Sequence, residues 1–284
     1  MMSVSQEESY RHCQQIARRT GKNFYYSFLM MPRAKRQAMC AIYAFMRRSD
    51  DIADSTANPA VASEGLRQWR ATVDAALRGE TSSEPTLPAL VDTVKRYGIE
   101  PRYFHELLDG TEMDQRVTRY ESFEDVYRYC YHVASVVGLI VLPVFGYQDQ
   151  AALVPAEACG IAFQLTNILR DVKEDAGLGR IYLPREDLKR FGVEVADIMG
   201  SRTTPQFIEL MKFEAARARE YYAKAVPLLD MIEPDSRGTL AVMIGIYGGI
   251  LDKIEKQNYA VFDGKIRLST AEKLWIVAKN WMGL

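Results

Sequence analysis

Apolar residues recur three or four places apart along most of this chain and strict alternation is scarce, so the pattern predicts helix after helix and no sheet. Residues 5–19 read as a polar amphipathic first helix and 22–29 as an aromatic-rich one. Pro32 then opens a long helix that reaches Asp54, with proline near its first turn. Further helices are expected over 64–78, 86–97 and 101–114, with a polar loop at 81–86. Ser122 and Asp125 form an N-cap pair for a helix running from Phe123 toward Leu142, whose apolar face carries Tyr129, Val133, Val136 and Val137. Pro155 opens a central helix. Residues 205–229, 234–257 and 269–281 complete the chain, the last with a capping box of Ser269 and Glu272. No linker and no fixed-period repeat divides the helices, so the expectation is an all-α, single-domain bundle over 1–284.

The central helix departs from the amphipathic pattern. Gln164, Asn167, Asp171 and Asp175 are three, four and four apart, which places them within roughly 80° of one face. Ile161, Phe163, Leu165, Ile168, Leu169 and Val172 surround them, as in a largely buried helix with one polar stripe. Buried carboxylates demand a cation, either a basic side chain or a metal ion, and carboxylate oxygens suit Mg²⁺. One acidic pair four apart is ordinarily a solvated face. Here the pattern repeats: Asp50 and Asp54 follow another apolar run, and Tyr43, Arg47, Asp50 and Asp54 fall within roughly 60° of one face. Arg48 and Asp51 turn away from it and receive a weaker role.

Composition narrows the chemistry. A chain of 284 residues with 48% hydrophobic content can bury a sizeable core, and a formal net charge of -1 argues against general nucleic-acid binding. Cys13, Cys40, Cys130 and Cys159 lack metal-ligand spacing and read as reduced packing residues. His12, His105 and His132 make no metal-spaced pair, and nucleophile-elbow, P-loop and dinucleotide motifs are missing. The N-terminal stretch is polar, without a targeting core. The apolar run 133–145 falls short of the roughly 20 residues that span a bilayer. A cytoplasmic protein without a transmembrane segment is expected, with peripheral contact with the inner membrane face left open.

Two carboxylate pairs on two helices suggest Mg²⁺ held across a cavity, and Mg²⁺ implies phosphate oxygens. Departure of a diphosphate leaves a carbocation, which an apolar, aromatic pocket protects from water. Phe24, Phe28, Tyr43 and Tyr129 are candidate walls; each is equally readable as a core aromatic. After Asp175, glycines 177 and 179 bend a loop through Pro184 that reads as a lid or a connector.

Four stretches carry a resemblance: RRSDDIAD at 47–54, YCYHVASVVG at 129–138, QLTNILRDVKEDAGLGRIYLP at 164–184 and IYGGILDKIEKQNYAVF at 246–262. The chain resembles the squalene and phytoene synthases over nearly its whole length. The resemblance implies a class I terpenoid synthase-like bundle around a central apolar cavity. It implies roughly two or three Mg²⁺ ions on Asp50, Asp54, Asp171 and Asp175, and diphosphate held by Arg47 and Arg180. Tyr43, Gln164, Asn167 and Tyr247 would line the reaction centre, and Phe24, Tyr129 and residues from Val133 to Val137 the prenyl tunnel. The implied reaction joins two prenyl diphosphates head to head through a cyclopropane. DGTEMD at 109–114 and the C-terminal NYAVFDGKIRLSTAEKL favour two farnesyl diphosphates giving presqualene diphosphate, with possible onward conversion to squalene. The alternative is two geranylgeranyl diphosphates giving phytoene, and NADPH use stays open. A terpene cyclase, a head-to-tail prenyltransferase and a non-enzymatic assembly factor are the remoter readings.

Overall fold

The computed structural model describes residues 4–56 and 58–281, apart from the side chains of residues 22–24, 280 and 281. The Phe24 side chain, expected in the tunnel wall, therefore lies outside the described residues. The helices are Gln6–Thr20 (α1), Lys22–Phe28 (α2), Arg33–Ala53 (α3), Pro59–Leu77 (α4), Leu87–Tyr97 (α5), Arg102–Arg116 (α6), Phe123–Cys130 (α7) and Val136–Phe145 (α8). They continue as Leu153–Arg170 (α9), Val172–Gly177 (α10), Arg185–Phe191 (α11), Val195–Met199 (α12), Pro205–Ala225 (α13), Leu228–Met231 (α14), Pro234–Lys256 (α15) and Thr270–Trp281 (α16). Among the described residues the only β pairing is two isolated bridges. The expected capping boxes form: Ser122 with Asp125, and Ser269 with Glu272. Three expectations are corrected. The helix expected from Phe123 toward Leu142 contains a π turn, Tyr131–Ser135. The central helix stops at Arg170 and resumes at Val172. Two short helices, α11 and α12, stand where none was expected.

The chain forms two compact units. Unit 1 takes Met1–Arg116, Val136–Gln150 and Asp230–Thr239. In it α3 packs against α1, α4, α5, α6 and α8, because its stripe of Ala38, Cys40, Ala41, Ile42, Ala44 and Phe45 is buried. The Phe45 ring stacks on Trp69 at 5.9 Å and meets Phe104 edge-on at 5.1 Å, and the Trp69 indole donates to Ser49 Oγ at 3.1 Å. Lys35 is a buried cation on the same helix. It donates to Glu233 (2.6 Å), Asp235 (2.5 Å), Ser236 Oγ (3.0 Å) and the Phe145 carbonyl (3.0 Å), so three chain segments meet on one ammonium group.

Unit 2 takes Val117–Ser135, Ala151–Leu229 and Leu240–Leu284, with α9 packed on α13 and on the π turn. The Thr166 and Tyr222 hydroxyls lie 2.9 Å apart between α9 and α13. Close by in the chain, half-buried Arg217 donates to buried Asp187 (2.9 Å) and buried Glu214 (2.7 Å), with its guanidinium 4.0 Å from the Phe123 ring centre. Burial pushes the Glu214 carboxyl up to about 7 against the pull of Arg217, with the Asp187 charge adding to the rise. A protonated Glu214 can donate its O–H to Asp187, through an Oε1 that has no other hydrogen-bond partner among the described residues. A carboxyl whose folded-state pKa is raised stabilises the fold fully below its ordinary value, and that contribution disappears as pH climbs through about 7. Urea unfolding should therefore show wild type losing stability relative to Glu214→Gln between pH 5 and 8, where the unfolded carboxyl has already lost its proton. A pH-independent difference between the two proteins would mean that the proton is not held there.

By length and composition Phe123–Phe145 and Gln150–Arg170 could each cross a membrane, but more than half of each is buried among other helices, as in core helices.

Candidate functional site

The first carboxylate pair lies at the C-terminal end of α3, Asp50 in its last turn and Asp54 as its C-cap. Solvent reaches Asp50, yet protein surrounds it closely, as at the wall of a recess. Lost hydration pushes its carboxyl up to about 6; Arg47 opposes the rise, while Asp54, Asp51 and Asp114 add to it. Asp114, from α6, enters the sequence reading only as the end of DGTEMD and not as a neighbour of Asp50, because only packing brings α6 beside α3. Asp51 also receives more weight than the helical wheel gave it. It accepts a hydrogen bond from Arg47 one turn earlier, and that bond, ahead of the nearby Asp50 charge, raises the guanidinium pKa. Tyr43 lies half-buried two turns before Asp50, with Gly21 against its ring. A Cβ on Gly21 would stand 2.5 Å from Tyr43 Cζ and 2.9 Å from its hydroxyl oxygen.

The second pair straddles the break between α9 and α10. Asp171 sits in the bend at φ -101°, ψ 15°, and its carboxylate takes a two-pronged hydrogen bond from Arg170 beside it. Helical spacing survives the bend: Asp171 N–H donates to the Asn167 carbonyl and Asp175 N–H to that of Asp171, both at 2.9 Å. Lys265 adds a second cation, 3.1 Å from Asp171 and 3.3 Å from Glu174. Burial would raise the Asp171 carboxyl, but Arg170 and then Lys265 hold it below the usual range. Basic side chains thus supply charge at this carboxylate, the first of the two sources its burial demanded. Arg170 was visible as a neighbour in sequence; Lys265 had no local signal.

Around this pair the polar stripe is organised by an aromatic. Tyr247 stacks on Phe163 with ring centres 4.3 Å apart and planes 11° from parallel. Its hydroxyl pKa is raised by burial, opposed by Arg170 and by a hydrogen bond from Asn167. The Asn167 amide also donates to Gln164 Oε1 at 3.3 Å, and its own carbonyl oxygen is buried without a hydrogen-bond partner.

The loop after Asp175 turns through Gly179 at φ +75°, a left-handed position that glycine supplies readily. Arg180 N–H donates to the Asp175 carbonyl at 2.8 Å, and the two residues line one small recess with Tyr182. Beyond Arg180 the chain is tied down. Ile181 N–H bonds Thr118, Arg185 N–H bonds Tyr120, and Tyr182 stacks on Tyr129 with ring centres 4.9 Å apart. Tyr129 is itself only 3% exposed. Val133 lies half-buried in the π turn and Val137 half-buried in α8.

The donors fit Mg²⁺. Carboxylates and the partnerless Asn167 amide oxygen are hard oxygen ligands. Among the described residues no three Asp, Glu, His or Cys side chains cluster in a way that would hold a metal unaided. Mg²⁺ that takes one or two carboxylates and completes its shell from substrate phosphates needs no such cluster.

This helical architecture is that of the terpenoid synthases. Residues 17–272 match the squalene/phytoene synthase family. The chain is 37% identical over 291 residues to the 15-cis-phytoene synthase of Synechocystis sp., covering 98% of this chain and 86% of the relative. It is 37% identical over 275 residues to a phytoene synthase of Mycobacterium tuberculosis, covering 96% and 90%. Among solved structures, a dehydrosqualene synthase in complex with ligand superposes with a TM-score of 0.90 at 33% identity, covering 98% of this chain and 97% of that one. A squalene synthase from Alicyclobacillus acidocaldarius gives 0.83 at 29%, covering 88% and 94%. The chain belongs to the squalene/phytoene synthase family, prenyltransferases that condense two prenyl diphosphates head to head and that depend on divalent metal.

Proposed function

We propose that this protein condenses two geranylgeranyl diphosphates to prephytoene diphosphate and then phytoene. The observation that carries the product is the run of relatives named phytoene synthase at 37–38% identity over at least 95% of the chain. The farnesyl reading drawn from DGTEMD and the C-terminal stretch gives way to this alternative, because those short motifs cover far less of the chain than the alignment does. The balance closes without a reductant. Two diphosphates leave and two protons are lost, so the new carbon–carbon bonds need no NADPH.

In this reading Asp50 and Asp54, and Asp171 and Asp175 with Asn167, hold Mg²⁺. Mg²⁺ held there would supply the positive charge that stabilises a departing diphosphate. Arg47, kept in place by Asp51, and Arg180 bind diphosphate oxygens; Tyr43, Gln164 and Tyr247 line the reacting carbons. Tyr129, Val133 and Val137 wall the prenyl chains. The single-domain expectation becomes the proposal that both units serve this one reaction.

Purified protein with Mg²⁺, given geranylgeranyl or farnesyl diphosphate separately, should yield a forty-carbon hydrocarbon from the first with kcat/KM at least about tenfold above that for the second, a barrier difference of about 1.4 kcal/mol. The reverse preference, read by mass analysis of the extracts, restores the farnesyl product.

Gly21 tests the role of Tyr43. Gly21→Ala pushes on the far end of the Tyr43 ring, so turnover should fall by about tenfold, about 1.4 kcal/mol, while thermal stability changes little. Unchanged turnover would remove Tyr43 from the reaction centre.

A further inference from the structure

Unit 1 carries a second charged feature, at the opposite end of α3 from Asp50 and Asp54. A cleft of about 110 Å³ opens between α1 and the start of α3, lined by Arg11 and Gln14 from α1 and by Arg33, Arg36 and Gln37 from α3. Glu7 is the only carboxylate in that lining. Several other arginines of this unit are matched, among them Arg70 with Asp109, Arg96 with Asp92, Arg102 with Glu100 and Arg116 with Glu112, whereas Arg18, Arg19 and Arg237 carry no ion pair among the described residues. Among the described residues Arg11, Arg33 and Arg36 have no carboxylate within the 4.0 Å of a salt bridge.

Three guanidinium groups drawn into one small cleft repel one another. The field is made more positive by the first turn of a 21-residue helix, which begins at Arg33. Planar guanidinium forks match phosphate oxygens two at a time, and the amides of Gln14 and Gln37 add neutral donors. Gln14 is held in place by its bond to the Tyr25 hydroxyl at 3.0 Å. We propose that this cleft binds a phosphate-type oxyanion, separately from the diphosphates of the reaction. Such an anion could be free phosphate or diphosphate, or the headgroup of an acidic lipid.

The test keeps Mg²⁺ out, so that the carboxylate pairs do not contribute. Inorganic phosphate is titrated calorimetrically into the full chain in EDTA, comparing wild type with R33Q/R36Q. In parallel, both proteins are spun down with vesicles of phosphatidylglycerol or of phosphatidylcholine alone. Wild type should take up one phosphate, at least about tenfold more tightly than R33Q/R36Q, with Mg²⁺-dependent prenyl turnover unchanged in the variant. Arginine-dependent pelleting with phosphatidylglycerol in addition assigns the anion to a lipid headgroup; phosphate uptake without pelleting assigns it to a soluble source. No uptake by wild type, equal uptake by both proteins, or vesicle pelleting alone overturns the proposal. Should R33Q/R36Q lose its helical circular dichroism, R11Q, which changes an exposed side chain, gives the same reading.

Discussion

Asp50→Asn, Asp54→Asn, Asp171→Asn and Asp175→Asn should each lower turnover by at least about 100-fold, about 2.7 kcal/mol of transition-state stabilisation. The exchange keeps shape and removes the charge that a divalent cation needs, so the loss belongs to chemistry and the helices should persist by circular dichroism. The four should not respond alike. Asp50 stands among Asp51, Asp54 and Asp114, whose charges raise its carboxyl, so its neutralisation relieves repulsion and should leave the apo protein as stable or more so. Asp171 is held by Arg170 and Lys265, and its neutralisation leaves two cations with a weaker partner. Asp171→Asn should thus lower the melting temperature where Asp50→Asn does not. Near-normal turnover in all four would sink the metal assignment; identical stability changes would sink the electrostatic distinction between the pairs.

Gly160→Ala should be the most damaging single methyl group in the protein. A Cβ there would lie 2.4 Å from Ser135 Cα, 2.5 Å from Ser135 N and 2.7 Å from the Ala134 carbonyl carbon. All three atoms belong to the backbone of the π turn, so no side-chain rotation can make room. The helix must move away, and overpacking of this kind costs about 3 kcal/mol or more. The contact lies where the π turn packs on α9, beside the Ser135 hydroxyl's bond to the Glu157 carbonyl at 2.8 Å, three residues before Phe163 and four before Gln164. Gly248→Ala provides the contrast. It lies inside α15 with nothing within 4 Å of its added carbon, and alanine should stabilise that helix by about 0.5–1 kcal/mol. Thermal unfolding of the two variants in parallel decides it: equal melting temperatures would mean that the close approach at Gly160 is not maintained.

The sequence alone determined the helical class, most helix starts, and the four acids with their two stripes, since helical periodicity and capping are local properties of neighbouring residues. The bend at Asp171 escaped it because no glycine or proline marks the place; the carboxylate drawn to Arg170 does. The π turn escaped it for a related reason, as Tyr131–Ser135 contains only residues an ordinary helix accepts. Partners distant in the chain were the work of tertiary structure. Lys265 reaches Asp171, Asp114 shares the field of Asp50, Gly21 leaves room for Tyr43, and Gly160 admits Ser135. A charge or a missing methyl group acts through the few ångströms around it, and only the folded chain decides which residues occupy that space.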